Sequence, residues 1–491
     1  MRKFLPLAIA IALAAAGCSF TPDYQRPAAP VPAVWPAEKV GADEAPAQQG
    51  GRAKDALLTA ADGDTAKSAA MPTDWRAFFL DPGLQQLIAA ALEHNRDLRI
   101  AIGRVDEARA LAGIARADRF PTVDLAAQRA ASLTPPDLSA TGRQLNSQRY
   151  DVNLAVASFE LDFWGRVKSL DDAGRANFLA SDYAHQAFRL SLIADVANAY
   201  FSLLELGERL ELAQATRNSR EETRTLVARR RDVGLAGDLD YLAADGAFQN
   251  ARAEAANLAR SHAAAENALR LLVGSSPVPA AVGKLARSGL VADVAVGLPA
   301  ETLLARPDVL AAEQKLIAAN ANIGAARAAF LPKIVLTAAL GTASRGLTGL
   351  FDAGSGAWSF TPALRLPLFD AGRATDNVDL AKARKNIAVA EYEKSIQQAF
   401  REIADLLAAR SQLTEQLQAQ EANAAAQSQR LKIVNARYKA GVSSHLELLD
   451  AQREHFAAQQ SALAVRRQLL ATAASFYKAL GGGAAQDARP L

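Results

Sequence analysis

The chain has few of the residues that build disulfides and metal sites. Its 491 residues include one cysteine, Cys18, and five histidines, at positions 94, 185, 262, 445 and 455. A single cysteine forms no disulfide within the chain, and the histidines form no cluster with cysteine or carboxylate groups at metal-site spacing. No glycine-rich loop precedes a helix to hold a phosphate, because Gly481-Gly482-Gly483 follows a helical stretch and is better explained as its C-cap. The sequence therefore predicts no catalytic residues, no metal and no non-covalent cofactor.

The chain also lacks an excess of charge and a long apolar run. Lysine and arginine number 55 against 52 aspartate and glutamate residues, so the net charge is only +3. This near-neutrality gives no reason to expect a nucleic-acid partner. No segment beyond the N-terminus offers the ~18 consecutive apolar residues of a membrane-spanning helix. If the protein spans a membrane, we expect it to do so as a closed β-barrel.

The N-terminus is typical of an exported lipoprotein. Arg2-Lys3 precedes the apolar stretch 4–16, which is too short to span a membrane but fits a secretory signal. The stretch ends directly before Gly17-Cys18, which resembles a bacterial lipobox. We therefore expect residues 1–17 to be removed and Cys18 to carry a diacylglycerol and an N-acyl chain, which together form a stable anchor. Ser19, in place of an aspartate, favours sorting to the outer membrane.

The rest of the chain contains two copies of one sequence pattern. At an offset of 207 residues, Gly165, Gly234 and Gly274 match Gly372, Gly441 and Gly481. Upstream, at an offset of 211 residues, Asp97 and Pro121 match Asp308 and Pro332. We therefore predict a lipidated linker at 18–73, a first repeat at 74–274, a second repeat at 275–481 and a tail at 482–491. Within the linker, residues 37–71 have little apolar content and are predicted to be disordered.

Each repeat is predicted to contain two β-strands. They are expected at about 122–132, 149–161, 333–344 and 358–369. In the last of these, Trp358, Phe360 and Leu364 lie on one face, and Ser359, Thr361 and Arg365 lie on the other. Segments of about 10 residues with one apolar and one polar face are typical of transmembrane β-strands. A soluble hairpin is the alternative, but the sequence offers no second sheet against which these strands would pack.

Long helices are predicted to follow each pair of strands. Between Ala374 and Tyr438 there is no proline, and apolar residues recur at spacings of three and four. Such a stretch of ~65 residues makes a helix roughly 100 Å long at ~1.5 Å per residue. The first repeat has the same pattern, so we predict two coiled-coil helical hairpins, 165–274 and 372–481.

Four strands are too few to close a barrel. The smallest outer-membrane barrels have about 8 strands, and side chains fill their interior. Two chains would supply about that number, whereas three would supply about 12 and leave a pore. The strand count therefore favours three chains without excluding four, with the helices continuing the barrel as a tube.

Six stretches of the chain are distinctive. They are FFLDPGLQQLIAAAL from 78, FELDFWGRVKSL from 159, RPDVLAAEQKLIAANANIGAARAAFLPKI from 306, LFDAGSGAWSF from 350, ARYKAGVSSHLELLDAQ from 436 and YKALGGG from 477. Together they resemble the TolC-type outer-membrane efflux proteins, specifically the NodT/OprM-like lipoprotein branch. The resemblance implies an α+β membrane protein: a homotrimer whose 12-stranded β-barrel, four strands per chain, continues into a long α-helical periplasmic tunnel with an equatorial belt. The belt would take 74–95, 275–305 and 481–491. The implied partners are a periplasmic adaptor and an inner-membrane pump, often of the resistance-nodulation-division class.

The hairpin turns, 232–238 and 439–445, are the predicted ends of the tunnel. Leu446 and Asp450 follow the second turn and share one helix face, because they are four residues apart. By the resemblance they would close the tunnel as an apolar ring that dewets the pore and an acidic ring. From the sequence pattern alone, Leu446 would be interpreted as a coiled-coil core position and Asp450 as a solvated helix residue.

Further candidates surround these turns. Four residues are predicted to form hydrogen bonds at the gate or to contact the adaptor: Tyr438, Glu447, Arg231 and Asp240. Gly234 and Gly441 mark the two tips. The implied function is the exit duct, in the bacterial outer membrane, of a tripartite pump that exports drugs or other small solutes. The alternatives are an outlet for heavy-metal efflux or type I protein secretion, and a structural coiled-coil lipoprotein of the cell envelope.

Overall fold

The protein is described by a computed structural model, in which the described residues are 20–32, 74–274, 283–285 and 300–482. Cys18 and its predicted lipid, the signal, the segment 37–71 and the tail from 483 onward lie outside these residues. Most of the predicted belt segment 275–305 does so as well. These features therefore stay predictions.

Helices make up most of the described chain. The shorter helices α1, α2, α3 and α6 span Trp75–Phe78, Pro82–His94, Arg96–Ala117 and Pro307–Ala328. The long helices α4 and α7 span Arg166–Asp232 and Arg373–Lys439 and have 67 residues each. The return helices α5 and α8 span Asp238–Val273 and His445–Ala479. Each predicted hairpin is thus one long helix followed by one return helix of about half its length.

One of these helices, α4, passes a simple test for a membrane span. Among the described residues it alone contains an 18-residue window apolar enough to cross a membrane, with a mean hydropathy of 1.2. Half of that window is buried within the chain, as in the core helix of a soluble protein. Length and composition of this kind are weak evidence, so the absence of a membrane-spanning helix stays a prediction.

Four strands form one antiparallel sheet in the order β1-β2-β3-β4. They span Asp124–Thr134, Leu145–Glu160, Lys333–Ser344 and Gly356–Arg365. β3 has the predicted bounds. β1 lies two residues later than predicted, and β2 begins four residues earlier, because the ladder between them continues until Thr134 pairs with Leu145. β4 ends at Arg365, four residues before the predicted end, because Arg365 pairs with Lys333, where β3 begins.

The register collects the apolar residues on one face of the sheet. One row across all four strands consists of Leu125, Leu154, Leu340 and Trp358. Phe360 and Leu364 lie on the same face further along β4, and the opposite face carries Asp124, Asn153 and Thr361. The apolar face is not covered within the chain, since Trp358 is 77% exposed and Leu125 is 74% exposed.

The described chain divides into two compact units. The first takes its residues from Met1–Ala28, Arg104–Asp182 and Ala311–Glu393. The second takes them from Ala29–Gly103, Tyr183–Leu310 and Lys394–Leu491. Each unit contains parts of both sequence repeats, so a repeat and a compact unit are different divisions of the chain.

In the first unit, which contains the sheet, the N-terminal residues 20–28 are tied to α6. Arg26 donates from Nε and Nη2 to the two carboxylate oxygens of Glu313, at 2.7 and 2.6 Å. Tyr24 donates to the same carboxylate at 3.0 Å. Only 6% of the Glu313 side chain is exposed. Burial and the bond to Glu313 raise the pKa of the Tyr24 hydroxyl, which therefore stays protonated and donates at neutral pH.

The second unit has an aromatic core. Its fully buried side chains include those of Phe78, Phe79, Tyr200, Phe201 and Tyr477. Helix α2 begins beside this core, where the Asp81 carboxylate accepts hydrogen bonds from the backbone N–H groups of Gly83 and Leu84. The Tyr200 hydroxyl donates to the same carboxylate at 3.0 Å, so the buried hydroxyl has a partner and the cap is held in place.

The duplication extends to buried hydrogen bonds of the second unit. Asn95 Nδ2 donates to the carbonyl oxygen of Leu272 at 2.8 Å, just as Arg306 Nη1 donates to that of Ala479 at 2.7 Å. The two donors are 211 residues apart in sequence and the two acceptors 207, the same offsets that relate the repeats. In both repeats, therefore, a side-chain hydrogen bond joins the residue just before a helix to the end of a return helix.

Candidate functional site at the hairpin tips

Both long helices end in the same hydrogen-bonding pattern, which depends on glycine. After α4, Gly234 has φ +77°, and its N–H donates to the Arg231 carbonyl at 2.9 Å. The next N–H, of Leu235, donates to the Arg230 carbonyl at 2.7 Å. These two hydrogen bonds form a Schellman motif, which requires one residue in the left-handed backbone conformation and therefore favours glycine.

The second tip repeats this geometry. Gly441 has φ +76°, its N–H donates to the Tyr438 carbonyl at 3.0 Å, and the Val442 N–H donates to the Arg437 carbonyl at 2.9 Å. Helix α8 then begins at a side-chain cap, since the Ser444 hydroxyl accepts from the Glu447 N–H at 3.2 Å. Glu447 thus lies in the first turn of the helix, where a negative charge is favourable.

Leu446 is not a core residue of the chain. Its side chain is 75% exposed, whereas Leu448 in the same turn is 3% exposed and packs with Val434 and Tyr438. Leu239, which matches Leu446 at the offset of 207, is 81% exposed. Each hairpin therefore presents an uncovered leucine just after its tip.

Asp450 is held by two arginines. Its Oδ2 accepts from Arg430 Nη2 of α7 at 2.7 Å, and its Oδ1 accepts from Arg453 Nη2 of α8 at 2.6 Å. Arg453 also lies 3.1 Å from Glu454. The four side chains balance in formal charge, so within the chain Asp450 belongs to a neutral cluster that joins α7 to α8 and does not offer a bare carboxylate.

Tyr438 and His445 lie together between the two hairpins. Their rings are 5.6 Å apart, and the guanidinium of Arg230, from α4, lies 5.6 Å from the Tyr438 ring centre. His445 is 8% exposed, and neither ring nitrogen has a hydrogen-bond partner among the described residues. Burial lowers the pKa of His445; the nearby Asp240 carboxylate opposes this effect and Arg230 adds to it.

The two candidates from the first tip have different surroundings. Arg231 binds within its own hairpin, 3.2 Å from Asp232 and with its guanidinium 4.3 Å from the Tyr241 ring centre. Asp240 is exposed and acts on His445 through its charge. At the tips, Arg230, the neighbour of the predicted Arg231, contacts Tyr438 of the second hairpin.

Sequence reasoning missed five residues of this site. They are Leu239, Arg230, Arg430, Arg453 and His445. The repeat offset already paired Leu239 with Leu446, and Arg453 is one helical turn from Asp450, so both carried a usable signal. The other three carried no such signal, because their contacts depend on the packing of separate helices. In the described part of the chain, no group of three or more histidine, cysteine or acidic side chains has metal-site geometry.

Comparison with known proteins identifies the family. A sequence profile described as "Outer membrane efflux protein" matches residues 87–275 and 298–482. The outer membrane protein OprJ of Pseudomonas aeruginosa is 43% identical over 487 residues, which cover 98% of this chain and 97% of OprJ. The chain belongs to the outer membrane efflux protein family. A second member, the toluene efflux pump outer membrane protein TtgF of Pseudomonas putida, is 43% identical over 479 residues, covering 97% and 96% of the two chains.

A solved structure of the family shows the same fold. The open state of the Neisseria gonorrhoeae MtrE outer membrane channel matches with a TM-score of 0.81 at 36% identity, covering 96% of this chain and 100% of MtrE. The predicted fold class, an α+β membrane protein with barrel strands and a helical tunnel, is confirmed. The predicted outer-membrane location and efflux function are also confirmed, which sets aside a purely structural envelope lipoprotein. The family is one of channels.

Proposed function

We propose that this chain forms, as a homotrimer, the exit duct of a tripartite pump that exports drugs or other small solutes. The open sheet supports this most strongly: β1 and β4 each pair on one side only within the described chain. In lipid, each unpaired backbone group costs several kcal/mol, so both edges need partners from other copies. Three copies supply about 12 strands, enough to enclose a lumen.

The oligomeric state has a direct test. We expect native mass spectrometry of the detergent-solubilised protein to give the mass of three mature chains. A mass of one, two or four chains would contradict the trimer while leaving the family assignment intact.

The proposed cargo is small and apolar, and the proposed partners are a periplasmic adaptor and a resistance-nodulation-division pump. TtgF is named as part of a toluene efflux pump, which supports this class of solute. Deleting the gene should sensitise cells to solvents and antibiotics, and the intact gene should restore resistance. Sensitivity to heavy-metal ions alone, or loss of a secreted protein, would instead favour the alternative export systems.

The proposed gate consists of Leu446 and Asp450. In a trimer, three exposed Leu446 side chains would narrow the lumen and dewet it. Asp450 would act through its ion pair to Arg430, which holds α7 against α8 at the tip, while Arg453 of its own helix binds the other carboxylate oxygen. Three such clusters make a charge-balanced ring, in place of the acidic ring that the sequence alone suggested. Tyr438, Glu447, Arg231 and Asp240 are proposed to form hydrogen bonds at the gate or to contact the adaptor, near the tips at Gly234 and Gly441.

The proposed anchor is a lipid on Cys18, comprising a diacylglycerol and an N-acyl chain. The buried bonds of Arg26 and Tyr24 to Glu313 hold the chain a few residues beyond that cysteine. We expect the mature protein to exceed its peptide mass by the mass of these acyl groups. Cys18→Ala should remove that mass; an unmodified wild-type N-terminus would refute the anchor.

A further inference from the structure

Arg129 is a cation on the apolar face of the sheet. It follows Leu125 and Ala127 at alternate positions of β1 and is paired in register with Tyr150 of β2. Its guanidinium lies 5.6 Å from the Tyr150 ring centre, and its Nη2 donates to Gln148 Oε1 at 3.4 Å. Within the described ranges, no carboxylate lies at ion-pair distance from it.

On the opposite, polar face of the sheet, an arginine is paired with a carboxylate. Arg149, one residue before Tyr150 and therefore on the polar face, donates from Nε to the Asp151 carboxylate at 2.7 Å. The Asp151 side chain is 5% exposed. The polar face thus supplies a counter-ion to its arginine, and the apolar face supplies Arg129 with an aromatic ring and an amide only.

Arg129 lies near the turn end of the apolar band, where only Ala131 and Leu133 follow it on this face of β1. It is four residues beyond Leu125 towards the turn at 135–144, which is ~13 Å along a strand or ~10 Å of depth at a tilt of ~40°. At this level the apolar face of β3 has changed from Leu340 to Thr342 and then Ser344, which shares the row of Tyr150. This turn end of the sheet is opposite the end joined to the helices, so it belongs to the outer leaflet.

An uncompensated arginine on a lipid-facing strand is unfavourable at mid-bilayer and less so near the headgroups. Phosphate is the anion available at that level, and the guanidinium fork binds it through paired hydrogen bonds. Tyr150 stacks against the guanidinium and presents it at the headgroup level. We propose that Arg129 and Tyr150, supported by Gln148, form a binding site for a phosphate-bearing lipid headgroup of the outer leaflet.

The test measures lipid binding to the full-length protein in detergent by native mass spectrometry. The probes are a bisphosphorylated lipid A, the same lipid without its phosphates, and inorganic phosphate. We expect the intact lipid to bind wild-type protein, and Arg129→Gln to weaken binding by about tenfold. Arg129→Lys should fall between the two, because lysine keeps the charge but loses the planar fork. The matched control, Arg149→Gln, removes an arginine from the other face and should bind as wild type.

Three results would overturn the proposal. The first is equal binding by wild type and Arg129→Gln, with circular dichroism showing both folded. The second is an equal loss in Arg149→Gln, which would point to net charge. The third is equal binding of the dephosphorylated lipid, or equal occupancy by inorganic phosphate, because the site is assigned to a lipid-borne phosphate.

Discussion

Replacing Asp450 by asparagine should make the duct open more often. The substitution keeps the side-chain shape but removes the charge that binds Arg430 of α7 and Arg453 of α8. The tip of the second hairpin would then lose its main polar connection. Arg430 would lose its counter-ion and Arg453 would keep only Glu454, so each chain would gain one positive charge at the tip. We therefore expect the open channel to shift towards anion selectivity.

The structure sets the size of this effect. The Asp450 side chain is 36% exposed, and those of Arg430 and Arg453 are 41% and 68% exposed. Arg453 lies on the same helix as Asp450, so only the pair with Arg430 joins α7 to α8. An exposed ion pair contributes ~0.2–1 kcal/mol, so this pair contributes ~0.5 kcal/mol per chain. If three copies open together, the equilibrium would shift by ~1.5 kcal/mol, which is about tenfold.

Single-channel recording in planar bilayers measures this shift as open probability. Glu421→Gln is the matched control, because Glu421 of α7 pairs with Arg466 of α8 and so joins the same two helices further from the tip. We expect the control to behave as wild type. The reasoning would be refuted by an unchanged open probability in Asp450→Asn, or by an equal increase in Glu421→Gln.

Three further outcomes follow from single residues. Arg306→Ala should lower the free energy of unfolding by about 3 kcal/mol, because the Arg306 side chain is 6% exposed and binds Asp308 and Glu402 at 2.9 Å. A lower thermal midpoint would report this loss. Arg401→Gln, which breaks an exposed ion pair, should change the free energy of unfolding by less than ~1 kcal/mol. Gly441→Ala should destabilise the tip by ~1–2 kcal/mol, because alanine is strained at φ +76°, and faster hydrogen exchange at the tip would report this. The pKa of His445 is lowered from 6.5 in the folded protein. Below pH 6.5 the unfolded tip therefore binds more protons than the folded tip, and the stability of the tip falls as the pH drops. Hydrogen exchange of tip peptides, corrected for intrinsic rates, should show this loss in wild type and not in His445→Gln; an equal loss in both would exclude the histidine.

The backbone of this protein was largely predictable from sequence because its periodicities are local. Alternation over about ten residues located all four strands. Only their ends differ from the prediction, chiefly where the first ladder extends to Leu145 and where β4 ends opposite the first residue of β3. Glycines at matched offsets predicted both tips, since Gly234 and Gly441 have the positive φ that a Schellman end requires.

The side-chain partners of the site were less predictable because they join residues far apart in sequence. Asp450 is 20 residues from Arg430, and the pair exists only because α8 packs back on α7. His445 follows a turn, where a polar residue is ordinarily solvated, and its burial results from the neighbouring hairpin. The lipid-facing Arg129 breaks the alternation of its strand, and such a departure from pattern marks a site that the pattern itself does not explain.

The most direct test of the central claim is the conductance of the purified protein in planar bilayers. A shared duct closed at its tips predicts discrete single-channel steps for the wild type, and larger or more frequent steps for the double variant Leu446→Ala, Asp450→Ala. Folded, membrane-inserted protein that conducts no ions in either form would contradict the duct, and identical conductance of the two forms would remove Leu446 and Asp450 from its gate.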